Sequence, residues 1–274
     1  MPTVEQNLKK WNTNYEWPAE GEEWSATWGG SEAQWFGAIF PRIHAFLPAG
    51  TILEIAPGLG RWTNYLKHYC DHLVVVDLGQ NCIDACQQRF ASDQHITYHV
   101  NDGKSLAMIL DNSIDFVFSF DSLVHAEADV IQAYMNQLAK KLKPNGVGFI
   151  HHSNIGKYQR AFSVSQRLPG RLRQLLTRSG FIDPYHWRAF TMTAELFKKQ
   201  CDQAGLQCVS QELVNWGTKG LTDCFSLFTS KTSSWARSTK VIANPNFMRE
   251  ADSIKCLSHL YSSAYLRSNA ESNL

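Results

Sequence analysis

The sequence predicts an α/β protein with a Rossmann-like, doubly wound sheet, and three observations support this prediction. From residue 52 onward, short β-rich runs alternate with helical ones. A glycine pair marks the first junction between a strand and a helix, and a glycine-bearing turn joins the last two β-rich runs. Such alternation indicates βαβ units, in which helices cover both faces of a mostly parallel sheet.

The predicted elements follow one another in a regular order. Each predicted strand is a short run rich in β-branched, aromatic or other apolar residues, and these runs are 52–56, 72–78, 96–100, 114–120, 146–152, 207–216 and 223–231. One predicted helix begins at about Arg61, and another lies near Ser105. The other helical patterns span 81–90, 130–142, 193–206 and 247–261. We expect the last two strands to form an antiparallel hairpin at the end of the sheet.

Composition excludes several classes of protein. With 44% hydrophobic residues, a chain of 274 residues can bury a sizeable core. The 26 basic and 25 acidic residues leave a net charge of +1, which argues against a broad surface for nucleic acid. The seven cysteines form no C-x-x-C pair, and no apolar run is long enough for a signal peptide or a membrane span. We therefore expect a reduced, cytoplasmic protein that binds neither nucleic acid nor membrane.

Shifts in composition divide the chain into segments. Residues 1–48 are crowded with tryptophan and are expected to form a cap on the main domain, which spans 49–231. Residues 154–190 interrupt the alternation and are interpreted as an inserted lid, and residues 232–274 as a peripheral tail. Five arginines of the lid suggest an anionic acceptor, and they are Arg160, Arg167, Arg171, Arg173 and Arg178. Four further side chains of the lid offer flat walls for a ring, and they are Tyr158, Tyr185, His186 and Trp187.

The stretch "TILEIAPGLGRWTNYL" at 51–66 carries the first functional signal. Gly58 and Gly60 permit a tight turn and a close approach of the backbone to a ligand. A dinucleotide fingerprint requires a third glycine, but Thr63 occupies that position. Glu54, inside the strand, would repel a pyrophosphate and favour a cationic group. The turn therefore indicates a nucleoside ligand that carries positive charge.

S-adenosylmethionine is such a ligand, because it has no phosphate and carries a sulfonium and an ammonium. Asp77 ends the second predicted strand, where its carboxylate can accept hydrogen bonds from both ribose hydroxyls. Asp102 follows the third strand and is positioned to accept a hydrogen bond from the adenine amino group. Trp24 and the Trp28-Gly29 pair are expected to close over the donor, with an aromatic face near the sulfonium.

These motifs resemble those of the class I S-adenosylmethionine-dependent methyltransferases over roughly residues 50 to 230. "LEIAPGLGR" is similar to the glycine-rich first motif of that family, "VVVDL" to its ribose-binding acid, "VNDG" to its adenine-contacting motif, and "IDFVFSFDSLVH" to its fourth strand. The resemblance implies a seven-stranded sheet with the last strand inserted antiparallel. It also implies S-adenosyl-L-methionine as cofactor and S-adenosyl-L-homocysteine as product. The predicted cofactor-binding residues are Glu54, Ala56, Gly58, Gly60, Asp77, Leu78, Asp102, Gly103, Asp121, Ser122, Trp28 and Gly29.

The acceptor is expected beyond the fourth and fifth strands, because ligands of open α/β sheets bind at the carboxyl ends of the strands. Asp121, His125, His151, His152 and Asn154 lie there. A hydroxyl acceptor loses a proton during methyl transfer, and a histidine can take it near neutral pH. His125 is the preferred base and His152 the next, with Asp121 beside them. No metal is expected, because the cluster is rich in imidazole and lacks a second acid.

The leading hypothesis is an O-methyltransferase acting on a small molecule, either a sugar or a natural-product intermediate. The stretch "EEWSATWGGSEAQWFGAIFPRI" supports it through its similarity to the leader of a bacterial group of small-molecule methyltransferases. Two alternatives stay open, N-methylation of a small amine or peptide and a non-catalytic binding module. Methylation of nucleic acid is disfavoured, because the fourth strand is followed by neither an N/D-P-P-Y/F motif nor a Pro-Cys pair. The sequence leaves the acceptor and the oligomeric state open.

Overall fold

The computed structural model describes residues 2–159, 169–178, 187–217 and 219–262 of the chain. Residues 160–168 and 179–186 of the predicted lid lie outside these ranges, and with them four side chains named above for the acceptor, Arg160, Arg167, Tyr185 and His186. Within the described ranges, the chain forms one mostly parallel sheet with helices packed on both of its faces. The predicted α/β class with a Rossmann-like sheet is confirmed.

The sheet has eight strands in the order β3-β2-β1-β4-β5-β7-β6-β8. The strands are β1 (Ala49–Ile55), β2 (Cys70–Asp77), β3 (Ile96–Val100), β4 (Ile114–Ser119), β5 (Leu142–Ser153), β6 (Leu206–Val214), β7 (Asp223–Ser230) and β8 (Lys240–Asn244). β7 runs antiparallel between β5 and β6, and the other neighbours pair in parallel. The seven predicted strands and the antiparallel insertion are therefore present.

The α-helices of the described residues are mostly short, apart from the helices that pack along the sheet. They are α1 (Val4–Leu8), α2 (Ser31–Gln34), α3 (Phe40–Ile43), α4 (Thr63–Leu66), α5 (Gln80–Arg89), α6 (Ala128–Lys141), α7 (Gly170–Arg178), α8 (Ala194–Gln203) and α9 (Phe247–Leu260). Tighter or wider helical turns occupy Lys9–Asn14, Glu22–Trp28, Trp35–Ile39, His44–Phe46, Lys67–Tyr69, Leu123–His125 and Ile155–Tyr158.

The helix predicted near Ser105 does not form, and the chain makes turns there. The Asp102 carboxylate accepts hydrogen bonds from the backbone N–H groups of Lys104 (2.9 Å) and Ser105 (2.6 Å). An aspartate that binds the backbone two or three residues ahead stabilises a turn in competition with a longer helix.

Alternation along the strands divides the core between the two faces of the sheet. Leu53, Val117 and Ile150 point to one face, where they pack in a cluster with residues of α6 and α8. Ile52 and Phe118 point to the opposite face, in a cluster with α5 and with apolar residues of 28–43. Part of the tryptophan-rich N-terminal segment is therefore a structural layer of the sheet.

The chain after residue 232 was expected to be peripheral, and the structure corrects this expectation for residues 240–260. β8 pairs in parallel with β6 and extends the sheet by one strand. The predicted helix over 247–261 forms as α9, whose Phe247 and Ala251 are fully buried. The sequence concealed β8 because Val241 and Ile242 are about half exposed at the edge, and "KVIAN" is short.

No helix in the described part of the chain is both long enough and apolar enough to cross a lipid bilayer.

Truncating Phe247 tests whether α9 belongs to the core. Phe247 packs against Trp28, Trp216 and Phe225, with ring centroids 5.2 to 6.0 Å apart. We expect Phe247→Ala to lower the free energy of unfolding by about 3 to 5 kcal/mol in urea titrations, because it opens a cavity. Tyr261→Ala is the control, since Tyr261 is 72% exposed, and it should change stability by less than about 0.5 kcal/mol. Equal effects of the two variants would show that α9 does not contribute to the core.

Candidate functional site

A cavity of about 350 Å³ lies beyond the carboxyl ends of β1, β2 and β4. Its floor includes the ends of these strands and the turns that follow them, at Ala56, Asp77 and Asp121. Its walls are largely aromatic and come from distant parts of the chain, namely Trp11, Trp17, Trp24, Trp62, Phe120, Trp187 and Trp216. This is the position at which an open α/β sheet binds ligands.

The glycine turn after β1 needs its glycine at position 58. Gly58 has φ +60°, and a Cβ there would lie 2.9 Å from Cη2 of Trp17. Ala56 also has a positive φ of +59°, which is strained for a residue with a side chain. Trp17 therefore packs so closely on this turn that a side chain at position 58 would collide with it.

Asp77 connects the turn after β1 to the turn after β2. Its Oδ1 accepts a hydrogen bond from the Gly79 N–H (2.7 Å), and its Oδ2 accepts one from the Gly58 N–H (3.2 Å). Burial raises the pKa of Asp77 to about 6, although these two hydrogen bonds oppose the rise. The side chain lines the cavity beside Leu78, so it is ionised and accessible to a ligand above that pH.

Glu54 lies beneath the cavity and does not line it. Its Oε2 accepts a hydrogen bond from the Thr63 hydroxyl (2.6 Å), and its Oε1 accepts none from the residues that the structure describes. Burial raises the pKa of Glu54 to about 8, and the Thr63 hydrogen bond only partly offsets this effect. Glu54 was predicted to contact the ligand, but it lies one layer below the surface of the cavity.

The structure places several other predicted cofactor-binding residues away from the cavity. Gly60 does not line it, and a Cβ there would lie 2.5 Å from Cε2 of Phe90. Asp102 is exposed in its turn, although the neighbouring Gly103 does line the cavity. Trp28 is buried against Trp216, with ring centroids 5.1 Å apart, and the adjoining Gly29 packs near α9. Trp24 lines the cavity as expected, but the other two tryptophans of the cap that do so, Trp11 and Trp17, were not singled out by the sequence analysis.

Asp121 and Ser122 shape the floor of the cavity at the end of β4. Asp121 has φ +63° and forms an ion pair with Arg61, with 3.1 Å between Oδ2 and Nη2. Arg61 is buried and also donates a hydrogen bond to the Ser25 hydroxyl (3.1 Å). The Ser122 hydroxyl donates to the Ala56 carbonyl (2.7 Å) and so ties the β4 turn to the β1 turn.

His125 lines the cavity in a defined tautomer. Its Nδ1 bonds the Trp187 carbonyl, which can only accept, so Nδ1 carries the proton and Nε2 has the lone pair. Burial, together with the positive charge of Arg188, lowers the pKa of His125 to about 4. The imidazole is therefore neutral at neutral pH. Its ring lies 5.0 Å from the ring of Trp11.

Asn7 joins the N-terminal segment to this histidine. Its Nδ2 donates to the His125 carbonyl (2.9 Å), and its Oδ1 accepts from Nε1 of Trp187 (2.8 Å). The two residues that Asn7 contacts are also joined to each other by the bond at Nδ1 of His125. Asn7 was not among the predicted site residues, because nothing in the local sequence distinguishes it from any other asparagine in a short helix.

His152 lies on the opposite face of the sheet, and the structure corrects its proposed role as a second base. It is fully buried, and its ring stacks on Phe197 with 4.2 Å between centroids. Its ring nitrogens bond the Ser226 hydroxyl (2.8 Å) and the Ser153 carbonyl (2.9 Å). Burial lowers its pKa to about 4, which suits a neutral core histidine. Alternation along β5 sends only one of two adjacent histidines toward the cavity.

His151 is the histidine of the pair that faces the cavity side, and it belongs to a buried polar network. Its Nδ1 accepts from the Asp121 N–H (3.1 Å), and its Nε2 lies 3.2 Å from Oδ2 of Asp223. Asp223 in turn holds the Arg188 guanidinium through both Nε (3.1 Å) and Nη2 (2.8 Å). Asp223 and His151 are fully buried, whereas Arg188 lines the cavity.

Arg188 and Asp223 were missed by the sequence analysis. Asp223 begins β7 directly opposite Ser153, so the predicted insertion of this strand beside the fifth was a usable signal for it. Arg188 gave no comparable signal. Among the described residues, no three His, Cys, Asp or Glu side chains are placed to share a metal ion.

A family model, curated proteins and solved structures resemble the chain. A family model described as a methyltransferase domain matches residues 52–146. Phosphoethanolamine N-methyltransferase 1 of Triticum aestivum is 33% identical over 119 residues, which make up 41% of this chain and 24% of that protein. The biotin biosynthesis bifunctional protein BioHC of Cellvibrio japonicus is 28% identical over 178 residues, which make up 63% of this chain and 32% of that protein. The chain thus spans about a quarter to a third of the length of these curated relatives.

Solved structures also resemble the chain. The N-methyltransferase NodS from Bradyrhizobium japonicum, determined in complex with S-adenosyl-L-homocysteine, has a TM-score of 0.52 and 15% sequence identity. The match covers 83% of this chain and 98% of that one. At this identity the likeness concerns the fold.

The buried position of Glu54 predicts how stability depends on pH. A pKa of about 8 in the folded chain exceeds the ordinary value of a glutamate, so the folded state holds a proton that the unfolded state releases. The free energy of unfolding should therefore fall as pH rises from about 5 to about 8, by up to about 1.4 kcal/mol per pH unit from this group. Glu54→Gln should remove that part of the slope in urea titrations.

Glu32→Gln is the matched control for this experiment, because Glu32 is exposed. The control should keep the pH slope of the wild type. A Glu54→Gln protein with an unchanged slope would contradict the burial of a protonated carboxyl at this position.

Proposed function

Because the chain belongs to the class I S-adenosylmethionine-dependent methyltransferases, we propose that it transfers a methyl group from this donor to a hydroxyl of a small molecule. A sugar or a natural-product intermediate is the proposed acceptor. The observation that carries the proposal is the Asp77 carboxylate, held at the floor of the cavity by N–H groups of the turns after β1 and β2.

The donor set of the cavity fits this ligand better than a dinucleotide. A pyrophosphate needs free backbone N–H groups in the glycine turn, whereas the Gly58 N–H donates to Asp77. Asp77 adds a carboxylate that suits a ribose diol, and the cavity walls are aromatic, which favours a cation. S-adenosylmethionine supplies a methyl group on a positively charged sulfur. Asp77, Leu78 and Gly103 would hold the adenosine, and Ala56, Gly58 and Asp121 the methionine part.

His125 is proposed as the general base. Its neutral imidazole faces the cavity with a lone pair on Nε2, because the Trp187 carbonyl holds the proton on Nδ1. As the methyl group passes to the acceptor oxygen, the sulfur keeps the electron pair of the broken bond and Nε2 takes the hydroxyl proton. His125 also has to be correctly aligned, which the hydrogen bond from Asn7 to its carbonyl supports.

N-methylation of a small amine is the second candidate. Its support is the low pKa of His125, since a neutral amine attacks without a strong base. The wheat relative and NodS are both named as N-methyltransferases. A panel of hydroxyl and amine acceptors, assayed for methyl transfer from labelled donor, separates the two candidates. A non-catalytic module would bind the donor product and transfer no methyl group to any of them.

A cytoplasmic location is also proposed. Its support is that all seven cysteines are free thiols, and six of them are at least partly buried, with Cys256 exposed. Free thiols are typical of a reducing compartment.

Replacing Asp77 tests the donor site. We expect Asp77→Asn to weaken the binding of S-adenosylhomocysteine about 10- to 100-fold by calorimetry, because it removes charged hydrogen bonds to the ribose. Wild-type affinity should fall as pH drops through about 6, where Asp77 gains a proton, and the variant should lack this dependence. Asp84→Asn is the control, because Asp84 is exposed on the neighbouring α5. Equal affinities of Asp77→Asn and wild type would refute the site.

Replacing His125 tests the base. We expect His125→Gln to lower the turnover of a hydroxyl acceptor at least about tenfold. Affinity for S-adenosylhomocysteine should change less than about threefold, because the side chain acts on the acceptor. His68→Gln is the control, since His68 is exposed outside the cavity. If His125→Gln turns over hydroxyl acceptors at the rate of the control, the base lies elsewhere or the acceptor is an amine.

A further inference from the structure

The part of the cavity near His125 contains an arginine that has no role in the reaction proposed above. Arg188 lines the cavity, and only 7% of its surface is exposed. Asp223 binds its Nε and Nη2, which fixes the plane of the guanidinium. Within the described part of the chain, Nη1 makes no hydrogen bond to protein. Arg188 therefore offers rigid N–H donors to an oxygen atom of a ligand.

Arg188 is adjacent to the proposed base. Residues 187–189 run alongside 124–125, since the Trp187 carbonyl bonds His125 and the Ala189 N–H donates to the Val124 carbonyl (2.9 Å). The charge of Arg188 also acts on His125 strongly enough to depress its pKa. One ligand oxygen can therefore lie within reach of both the guanidinium and the Nε2 lone pair.

Flat walls bound the space around these two groups. The ring of Trp11 lies 5.0 Å from the ring of His125, and the Trp216 ring lies 5.7 Å from Cζ of Arg188. Both tryptophans line the cavity. The polar groups nearby are already engaged with one another, as Arg61 with Asp121 and Arg188 with Asp223. Among the described residues, a ligand with many hydroxyls would find few free partners here, whereas a planar ring with one polar oxygen would be well accommodated.

We propose that the acceptor of the methyl group is a planar ring compound with an acidic hydroxyl of the phenol or enol type, whose oxygen binds Arg188. This inference rests on the proposed methyltransferase function and chooses among its acceptors. The guanidinium stabilises negative charge on the oxygen as its proton passes to Nε2 of His125. A base with a low pKa suffices for such a hydroxyl, whereas it assists an alcohol much less.

A nitrophenol is a suitable probe, because its phenolate absorbs visible light and its neutral form does not. We expect the full chain, with S-adenosylhomocysteine present, to increase the visible band at a pH where the free probe is mostly neutral. The Arg188→Gln/Asp223→Asn double variant removes both charges of this buried ion pair, and it should abolish the increase. Arg188→Lys keeps the positive charge but lacks the forked N–H donors of a guanidinium, and it should retain part of the absorbance increase. Arg249→Gln, an exposed arginine on α9, is the control and should behave as wild type.

A turnover assay completes the test. Phenol-type and enol-type rings should be methylated at least about tenfold faster than cyclohexanol, a methyl glycoside or benzoate. Faster turnover of the alcohols or of benzoate would overturn the inference, as would a nitrophenolate band equally strong in the double variant. The absorbance assay is repeated without S-adenosylhomocysteine. Failure of that nucleoside to bind would overturn the proposed function, whereas its binding without any nitrophenolate signal would overturn the acceptor class alone.

Discussion

The hydrogen bonds from the Gly58 and Gly79 N–H groups to Asp77 are the interaction on which the proposed site depends. They hold the turns after β1 and β2 together and keep a buried carboxylate at the surface of the cavity. Burial raises the pKa of this carboxyl, so placing it there costs free energy. A ligand that donates hydrogen bonds to the carboxylate recovers part of that cost. The same bonds occupy the N–H group that a phosphate would need.

The fold was largely predictable because its signals are local. Continuous apolar strands such as the centre of β2 are recognisable within a few residues, and the glycine turn and Asp77 follow directly from strand ends. β8 was missed, because an exposed edge strand has no apolar pattern to reveal it. The helix expected near Ser105 was wrong because the Asp102 side chain favours a turn.

The candidate site was predictable only in part, because several of its contacts join distant residues. The motif order placed Asp77, Asp121 and His125 at the cavity. It could not separate His151 from His152, since adjacent residues of a strand differ only in which face they point to. Nor could it find Arg188, whose position depends on an ion pair with a residue 35 positions later. Buried side chains of this kind are specified by the packing of the whole sheet.

The N-terminal segment has two structural roles that the sequence did not distinguish. Trp28 and Trp35 belong to the core on one face of the sheet, whereas Trp11, Trp17 and Trp24 line the cavity. Asn7 connects this second part to His125 and Trp187, so the cap and the proposed base form one hydrogen-bonded unit. The aromatic lining of the cavity and the position of His125 are therefore linked through the same short segment.

A crystal structure of the chain with bound S-adenosyl-L-homocysteine tests the central claim most directly. The account predicts that both ribose hydroxyls lie within hydrogen-bonding distance of the Asp77 carboxylate, and that the sulfur faces His125. Density for the nucleoside outside this cavity, or a ribose without contact to Asp77, would contradict it.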